Sequence, residues 1–260
     1  ADQSVARLFL NGFIPGAMMG GILILIGLIV AYKNNYPNGA SFSLANIAKT
    51  FRGAVWGLAT PLIILGGIFT GYFTPSEAAV IAVDYALLVS LFVYRDMGWR
   101  EIISIFMRSA ITMSIIMFII ATSTAMGWVM ANWQIPKIIA ESILSVSNNK
   151  YVLFLLINLV IFIAGFFMET ASALILLTPV FLPLVQQLGI DLIHFGVVMV
   201  MGLSIGMVTP PVAINLYVAS TISGLSLEKI SKAVIPMVIS LLLVLIAVTY
   251  LPMFFKGMIL

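Results

Sequence analysis

Charged residues cut this chain into long uncharged runs. The runs cover residues 8–32, 53–76, 109–136, 151–168, 170–190, 192–227 and 233–255. Each is apolar on every side, so periodicity alone does not separate helix from strand. Length does. A membrane-spanning helix needs about 20 consecutive apolar residues, and 8–32, 109–136 and 233–255 each predict one span. Residues 53–94 are long enough for two, with a turn at Gly71-Tyr72-Phe73-Thr74-Pro75. In lipid, backbone groups have no water to bond, which makes the helix the expected form of every run.

Composition agrees and narrows the class. Of 260 residues, 62% are hydrophobic and only 8% charged, against about 45–50% and about 25% in soluble domains. Such a chain cannot cover a water-facing surface, which excludes a soluble globular domain, a disordered protein and a nucleic-acid binder. The 12 Lys/Arg against 9 Asp/Glu lie between the apolar runs rather than in a patch, so they report orientation. Segments 33–52, with Lys33, Lys49 and Arg52, and 95–108, with Arg95, Arg100 and Arg108, are expected in the cytoplasm. Segment 137–150 then falls outside, with Trp128 and Trp133 near that interface, and Glu228, Lys229 and Lys232 return inside. This topology requires 151–190 to enter and leave on one side, and 192–227 to cross once despite a break. There is no cysteine and a single histidine, which excludes thiolate chemistry and multi-His metal sites. The polar stub at Ala1 suggests an excerpt of a longer protein.

Four Thr-Pro pairs punctuate the runs: Thr60-Pro61, Thr74-Pro75, Thr178-Pro179 and Thr209-Pro210. The first three are expected to start or kink helices. At the fourth, Pro211 follows Pro210. Neither has an N–H, so a continuous helix would orphan the carbonyls of Gly206 and Met207. Orphaned carbonyls in an apolar run are costly unless something satisfies them. A hard cation would do so, with the Thr209 hydroxyl as a further ligand. A helix resuming at Pro211 would aim a positive end into the same space. The alternative is a proline kink satisfied by neighbouring helices and water.

Glu169 is the only charge between Lys150 and Asp191. A carboxylate between two apolar arms is a functional candidate by default, and Met168-Glu169-Thr170 reads as the tip of a re-entrant hairpin. Ser172 and Asn215 could contact a substrate or hold helices together. Glu77 fits a first helical turn, and Asp84 is expected to pair with a basic neighbour or partner subunit. For His194 a solvated or capping role is expected. Gly202-x-Ser204-x-Gly206 matches the nucleophile elbow literally, but that motif needs a strand–turn–helix context and an acid–histidine pair. A Ser204–His194 intramembrane enzyme is the remote alternative. No Walker A loop is present, so ATP is not a cofactor of this chain.

Several stretches together resemble the large membrane subunit of tripartite ATP-independent periplasmic (TRAP) transporters. They are Phe9…Gly12-Phe13-Ile14-Pro15-Gly16, Pro61-Leu62-Ile63-Ile64-Leu65-Gly66-Gly67 and Phe73-Thr74-Pro75-Ser76-Glu77-Ala78. Gly165-Phe166-Phe167-Met168-Glu169-Thr170, His194-Phe195-Gly196-Val197 and Gly206-Met207-Val208-Thr209-Pro210-Pro211-Val212…Asn215-Leu216 complete the set. The resemblance covers the whole chain. It implies an all-α polytopic protein of the bacterial inner membrane, an elevator-type transporter with a re-entrant hairpin and a broken helix, and one of two inverted repeats present.

On that resemblance, 1–32 is the last helix of repeat one and 33–54 a cytoplasmic connecting or arm segment. Residues 55–150 are scaffold and arm helices of repeat two, 151–232 the transport-domain hairpin and broken helix, and 233–260 the final span. It further implies Na⁺-coupled import of an organic anion, of the sialic acid or C4-dicarboxylate class. A periplasmic binding protein would deliver the anion, and a small membrane subunit and lipid would be the other partners. A sodium site would use Gly165, Gly206, Thr209 and Val212. Ser172, Pro211 and Asn215 would line the substrate, and Met168, Glu169, Thr170 and Pro210 would couple the two. Glu169-Thr170 departs from members with a different acid, which bears on substrate choice. The rival reading is a broken-helix secondary transporter that works without a binding protein.

Overall fold

The computed structural model describes residues 3–36, 43–147, 149–210 and 213–254. Its elements are helical: α1 (Val5–Lys33), α2 (Leu44–Phe69), α3 (Pro75–Leu88) running into a π-helical turn (Val89–Tyr94), and α4 (Trp99–Asn132). There follow α5 (Ile135–Val146), α6 (Lys150–Phe167), α7 (Thr170–Gln187), α8 (Leu192–Gly206), α9 (Ile214–Ser223) and α10 (Leu227–Phe254). Among the described residues, seven helices are long and apolar enough to cross a membrane. They are α1, α2, α3 with its π-helical extension, α4, α6, α7 and α10.

The boundaries follow local chemistry. Thr74 opens α3 through a reciprocal capping box, its side chain accepting from Glu77 N–H while the Glu77 carboxylate accepts from Thr74 N–H at 2.8 Å. Pro75 supplies the first helical residue, where its missing N–H costs nothing. Glu77 therefore has the first-turn role that its position suggested. Thr60-Pro61 and Thr178-Pro179 instead lie inside α2 and α7. Segment 137–150, expected only as an outer connection, contains most of α5, which packs on α7. The clustering of Ile135, Ile138 and Ile139 gives that short helix an apolar side to bury.

The chain divides into two compact units, residues 1–34 with 117–260 and residues 35–116, and α4 supplies residues to both. In the larger unit α8 is the hub: it packs most extensively on α6, and also on α7, α10 and α1. The core interleaves Phe154, Ile157 and Ile161 of α6 with Val198, Leu203 and Ile205 of α8 and Leu241, Leu245 and Val248 of α10. Lipid tails are as apolar as these side chains, so close packing rather than water exclusion favours the interior. Glycines permit it: a Cβ at Gly202 would lie 3.1 Å from Ile161 Cγ2, and one at Gly196 3.1 Å from Leu8 Cδ1.

In the smaller unit α2 and α3 form a helical pair across the turn Thr70–Thr74. Tyr85 donates its hydroxyl hydrogen to Trp56 O at 2.9 Å, and Tyr94 donates to Gly53 O at 2.9 Å. Ala78 and Ala82 are buried, but the large side chains that α4 contributes to this unit, such as Phe106, Ile111 and Met113, are exposed, as a lipid-facing helix requires. Asp84 is exposed and has no ion pair among the described residues.

Candidate functional site

Two interruptions of helix meet in the larger unit. The first is the hairpin tip between α6 and α7. Met168 leaves the helix with extended backbone (φ −122°, ψ 142°), while its N–H still bonds Ala164 O at 3.0 Å. Glu169 is also extended, and its Oε2 accepts from Ala171 N–H at 2.9 Å and Ser172 N–H at 3.2 Å. The carboxylate that stood out in the sequence thus caps α7, where the helix dipole favours a negative charge. Ser172 meets Glu169 through its backbone, and its side chain is half-buried.

The second interruption ends α8 at Gly206. The argument that the two prolines orphan the Gly206 and Met207 carbonyls does not hold in this geometry. Gly206 O accepts from Thr209 N–H at 2.9 Å, and Met207 O accepts from Asn215 N–H at 3.4 Å. The reason is that the chain abandons the helix four residues before Pro210 and closes with tight turns. The return into α9 then brings Asn215 under Met207. Each carbonyl keeps a second lone pair for another partner. The Thr209 hydroxyl donates to Ile205 O at 2.6 Å, which leaves its oxygen free to accept or ligate. The next helix starts at Ile214, after Ala213 in the left-handed region (φ 41°, ψ 70°), rather than at Pro211. Pro211 and Val212, expected to line substrate and sodium, lie outside the described residues.

These interruptions are in direct contact. A Cβ on Gly165 would sit 2.6 Å from Leu203 O and 3.1 Å from Gly206 Cα. A Cβ on Gly206 would sit 2.7 Å from both Gly165 Cα and Phe162 O. Only two glycines let the backbones come this close. At the tip, Thr170 Oγ1 donates to Met207 Sδ at 2.9 Å, tying the hairpin to the break. The carboxyl ends of α6 and α8 therefore converge. Each leaves last-turn carbonyls without helical donors and carries the negative end of its dipole. The start of α9 has no side-chain cap, whereas α6, α7 and α8 are capped by Asn149, Glu169 and Asp191. Chemically the arrangement offers neutral oxygens to a cation, while the start of α9 presents the positive end of its dipole, its Asn215 and Leu216 N–H groups already bonded to Met207 O and Ala213 O.

Of the residues expected here, the structure brings together Gly165, Gly206, Thr209 and Thr170. Pro210 lies in the turn and is half-buried, and Met168 packs against the core. Asn215 joins the site through its backbone; its side chain is exposed. Sequence reasoning missed the Met207 thioether and the carbonyls of Phe162 and Leu203, because every residue has a carbonyl and nothing in the sequence marks these. It also missed a polar cluster elsewhere in the core. Buried Asn158 donates through Nδ2 to Thr249 Oγ1 at 3.0 Å, and its Oδ1 has no partner among the described residues. His194 Nε2 lies 3.2 Å from Thr249 O; that oxygen only accepts, so the contact requires a proton on Nε2. The expected capping role falls to Asp191, which accepts from His194 N–H at 2.9 Å, and the imidazole links α8 to α10. Ser204 and His194 are ten residues apart on one helix, about 15 Å along its axis, which removes the serine–histidine dyad.

A family model described as "Tripartite ATP-independent periplasmic transporter, DctM component" matches residues 1–254. The chain belongs to the DctM family. Its relatives are permease subunits of transporters, not enzymes. One is the C4-dicarboxylate TRAP transporter large permease protein DctM of Pseudomonas aeruginosa, 40% identical over 251 residues, with 96% of this chain and 59% of that protein covered. The sialic acid TRAP transporter large permease protein SiaM of Vibrio cholerae is 35% identical over 254 residues, covering 98% and 60%. The isethionate TRAP transporter permease protein DctMQ of Oleidesulfovibrio alaskensis is 36% identical over 264 residues, covering 99% and 41%. The chain thus spans three fifths or less of the length of these relatives. As a DctM chain with seven apolar helices it is a multi-pass protein of the bacterial inner membrane.

Proposed function

We propose that this DctM chain takes part in Na⁺-coupled import of an organic anion, with sodium held where α6 meets α8. The observation that carries the reading is the Gly165–Gly206 contact, which gathers two helix carboxyl ends around neutral oxygens. Sodium there would order the hairpin tip against the break, and the positive end of the α9 dipole would then attract a carboxylate. Coupling follows because sodium binds the ordered arrangement better than the open one. The names of the relatives favour a C4-dicarboxylate or a sialic acid as substrate. A periplasmic binding protein and a small membrane subunit are the proposed partners. The hairpin α6–α7 and the broken helix α8–α9 would belong to the moving part of an elevator.

The test is uptake by the full protein in proteoliposomes, with its small subunit and candidate binding proteins, with and without a sodium gradient. Thr209→Ala is expected to raise the sodium concentration needed for half-maximal uptake about tenfold, the loss of about 1.4 kcal/mol of ligation, while the protein still inserts. An unchanged sodium dependence would sink the assignment. Equal uptake without any binding protein would favour the rival transporter that works alone.

A further inference from the structure

The smaller unit carries a basic cluster that the transport reading does not use. Tyr94 donates to Gly53 O at 2.9 Å and accepts from Gly57 N–H at 3.3 Å. This junction fastens the end of the π-helical turn to α2. Arg52 immediately precedes Gly53 and Arg95 immediately follows Tyr94, so two guanidinium-bearing residues flank one hydrogen-bonded junction. Lys49 lies one turn before Arg52 on the same face of α2. Arg95 has left-handed backbone (φ 54°), Asp96 N–H bonds back to Ser90 O at 3.3 Å, and α4 begins at Trp99 with Arg100 as its second residue. All four basic residues are exposed.

No ion pair neutralises them among the described residues. The ion pairs among the described residues are Lys137–Glu141 and Lys232–Glu228. The acids beside the cluster are Asp96 and Glu101, and Glu101 Oε2 already accepts from Gly98 N–H at 2.6 Å. Large apolar side chains stand exposed in the same segment, Phe92 at 67% and Trp99 at 77%. Charge retention on loops sets orientation by itself. It does not require two guanidinium-bearing residues flanking one hydrogen-bonded junction, with Lys49 one turn away.

We propose that Lys49, Arg52, Arg95 and Arg100 form a headgroup site for an acidic glycerophospholipid of the cytoplasmic leaflet. Guanidinium forks match phosphate oxygens in pairs. Phe92 and Trp99 offer an acyl chain the apolar cover that a free phosphate ion would leave bare. The negative surface potential of that leaflet enriches the ligand.

The experiment uses the full protein in nanodiscs of mixed phosphatidylglycerol and phosphatidylcholine, with bound lipid read by native mass spectrometry. The wild type is expected to retain phosphatidylglycerol over phosphatidylcholine about fivefold, with the preference shrinking as salt is raised. The variant with Lys49→Gln, Arg52→Gln, Arg95→Gln and Arg100→Gln should lose the preference, and Lys229→Gln with Lys232→Gln should keep it. If the fourfold variant does not insert, Arg52→Gln with Arg95→Gln must lower the preference at least about twofold. Retention unchanged in these variants overturns the proposal. So does full displacement of the lipid by millimolar inorganic phosphate, which would mark a free-anion site. Loss of the preference once the small subunit is bound would assign the cluster to a protein partner and overturn it as well.

Discussion

Helices α8 and α4 look alike as strings of letters and have opposite fates. α8 buries ten of its fifteen residues. α4 runs for 34 residues, and among its described side chains only Ile102 is buried. Hydrophobicity does not separate them, because both carry long uncharged runs. Close approach does. Gly196, Gly202 and Gly206 of α8 each admit a neighbour to within 3.1 Å of where a Cβ would be, whereas Gly127 of α4 faces nothing within 4 Å. In lipid a helix enters the interior when small residues let neighbouring side chains or backbone come near, and otherwise stays against acyl chains.

The sharpest way to break that comparison is Gly206→Val against Gly127→Val. The first puts a branched side chain into the backbone of α6, at 2.7 Å from Gly165 Cα and Phe162 O. It should cost at least about 3 kcal/mol and abolish sodium-dependent uptake. The second should leave thermal unfolding in detergent nearly unmoved. Equal effects would show that close approach is not what distinguishes the helices.

Next in size is the hairpin cap. Glu169→Ala removes the acceptor for two N–H groups and should lower stability by about 1 kcal/mol. Glu169→Gln, which keeps an acceptor oxygen, should lose less than half of that in the same unfolding measurement. A Gln variant as damaged as the Ala variant would mean that the charge, not the cap, is what matters.

Asn158→Leu probes the interior of the larger unit from the other direction. It removes a buried amide whose Oδ1 is unpartnered among the described residues, while the Thr249 hydroxyl keeps its bond to Leu245 O at 2.7 Å. Stability should therefore change by less than about 1 kcal/mol in either sense. A loss of several kcal/mol would show that Asn158 holds α6 to α10 more tightly than its single bond suggests. The smallest effect is expected for Tyr94→Phe in the smaller unit. Its two hydrogen bonds are exposed, and their loss should cost about 0.5 kcal/mol. Hydrogen exchange at Gly57 N–H would report it even where unfolding does not.

Local chemistry was legible from the residues alone. The uncharged runs predicted the spans, Gly71 to Pro75 the turn between α2 and α3, and the Thr209-Pro210 region the break, because charge, missing N–H groups and capping oxygens act within a few residues. The hairpin tip at Met168-Glu169 was legible for the same reason, whereas the orphaned carbonyl that singled out Gly206 in the sequence has a donor in Thr209 N–H. Three matters were decided only by tertiary structure. Gly165 and Gly206 touch because α6 and α8 cross there, and no spacing between positions 165 and 206 encodes a crossing. The Gly206 and Met207 carbonyls found donors in Thr209 and Asn215, because the chain left the helix earlier than the prolines forced it to. His194 turned inward to Thr249 because α10 packs beside α8. Backbone oxygens carry the proposed ion site, and every residue has one; only the fold selects which of them face each other.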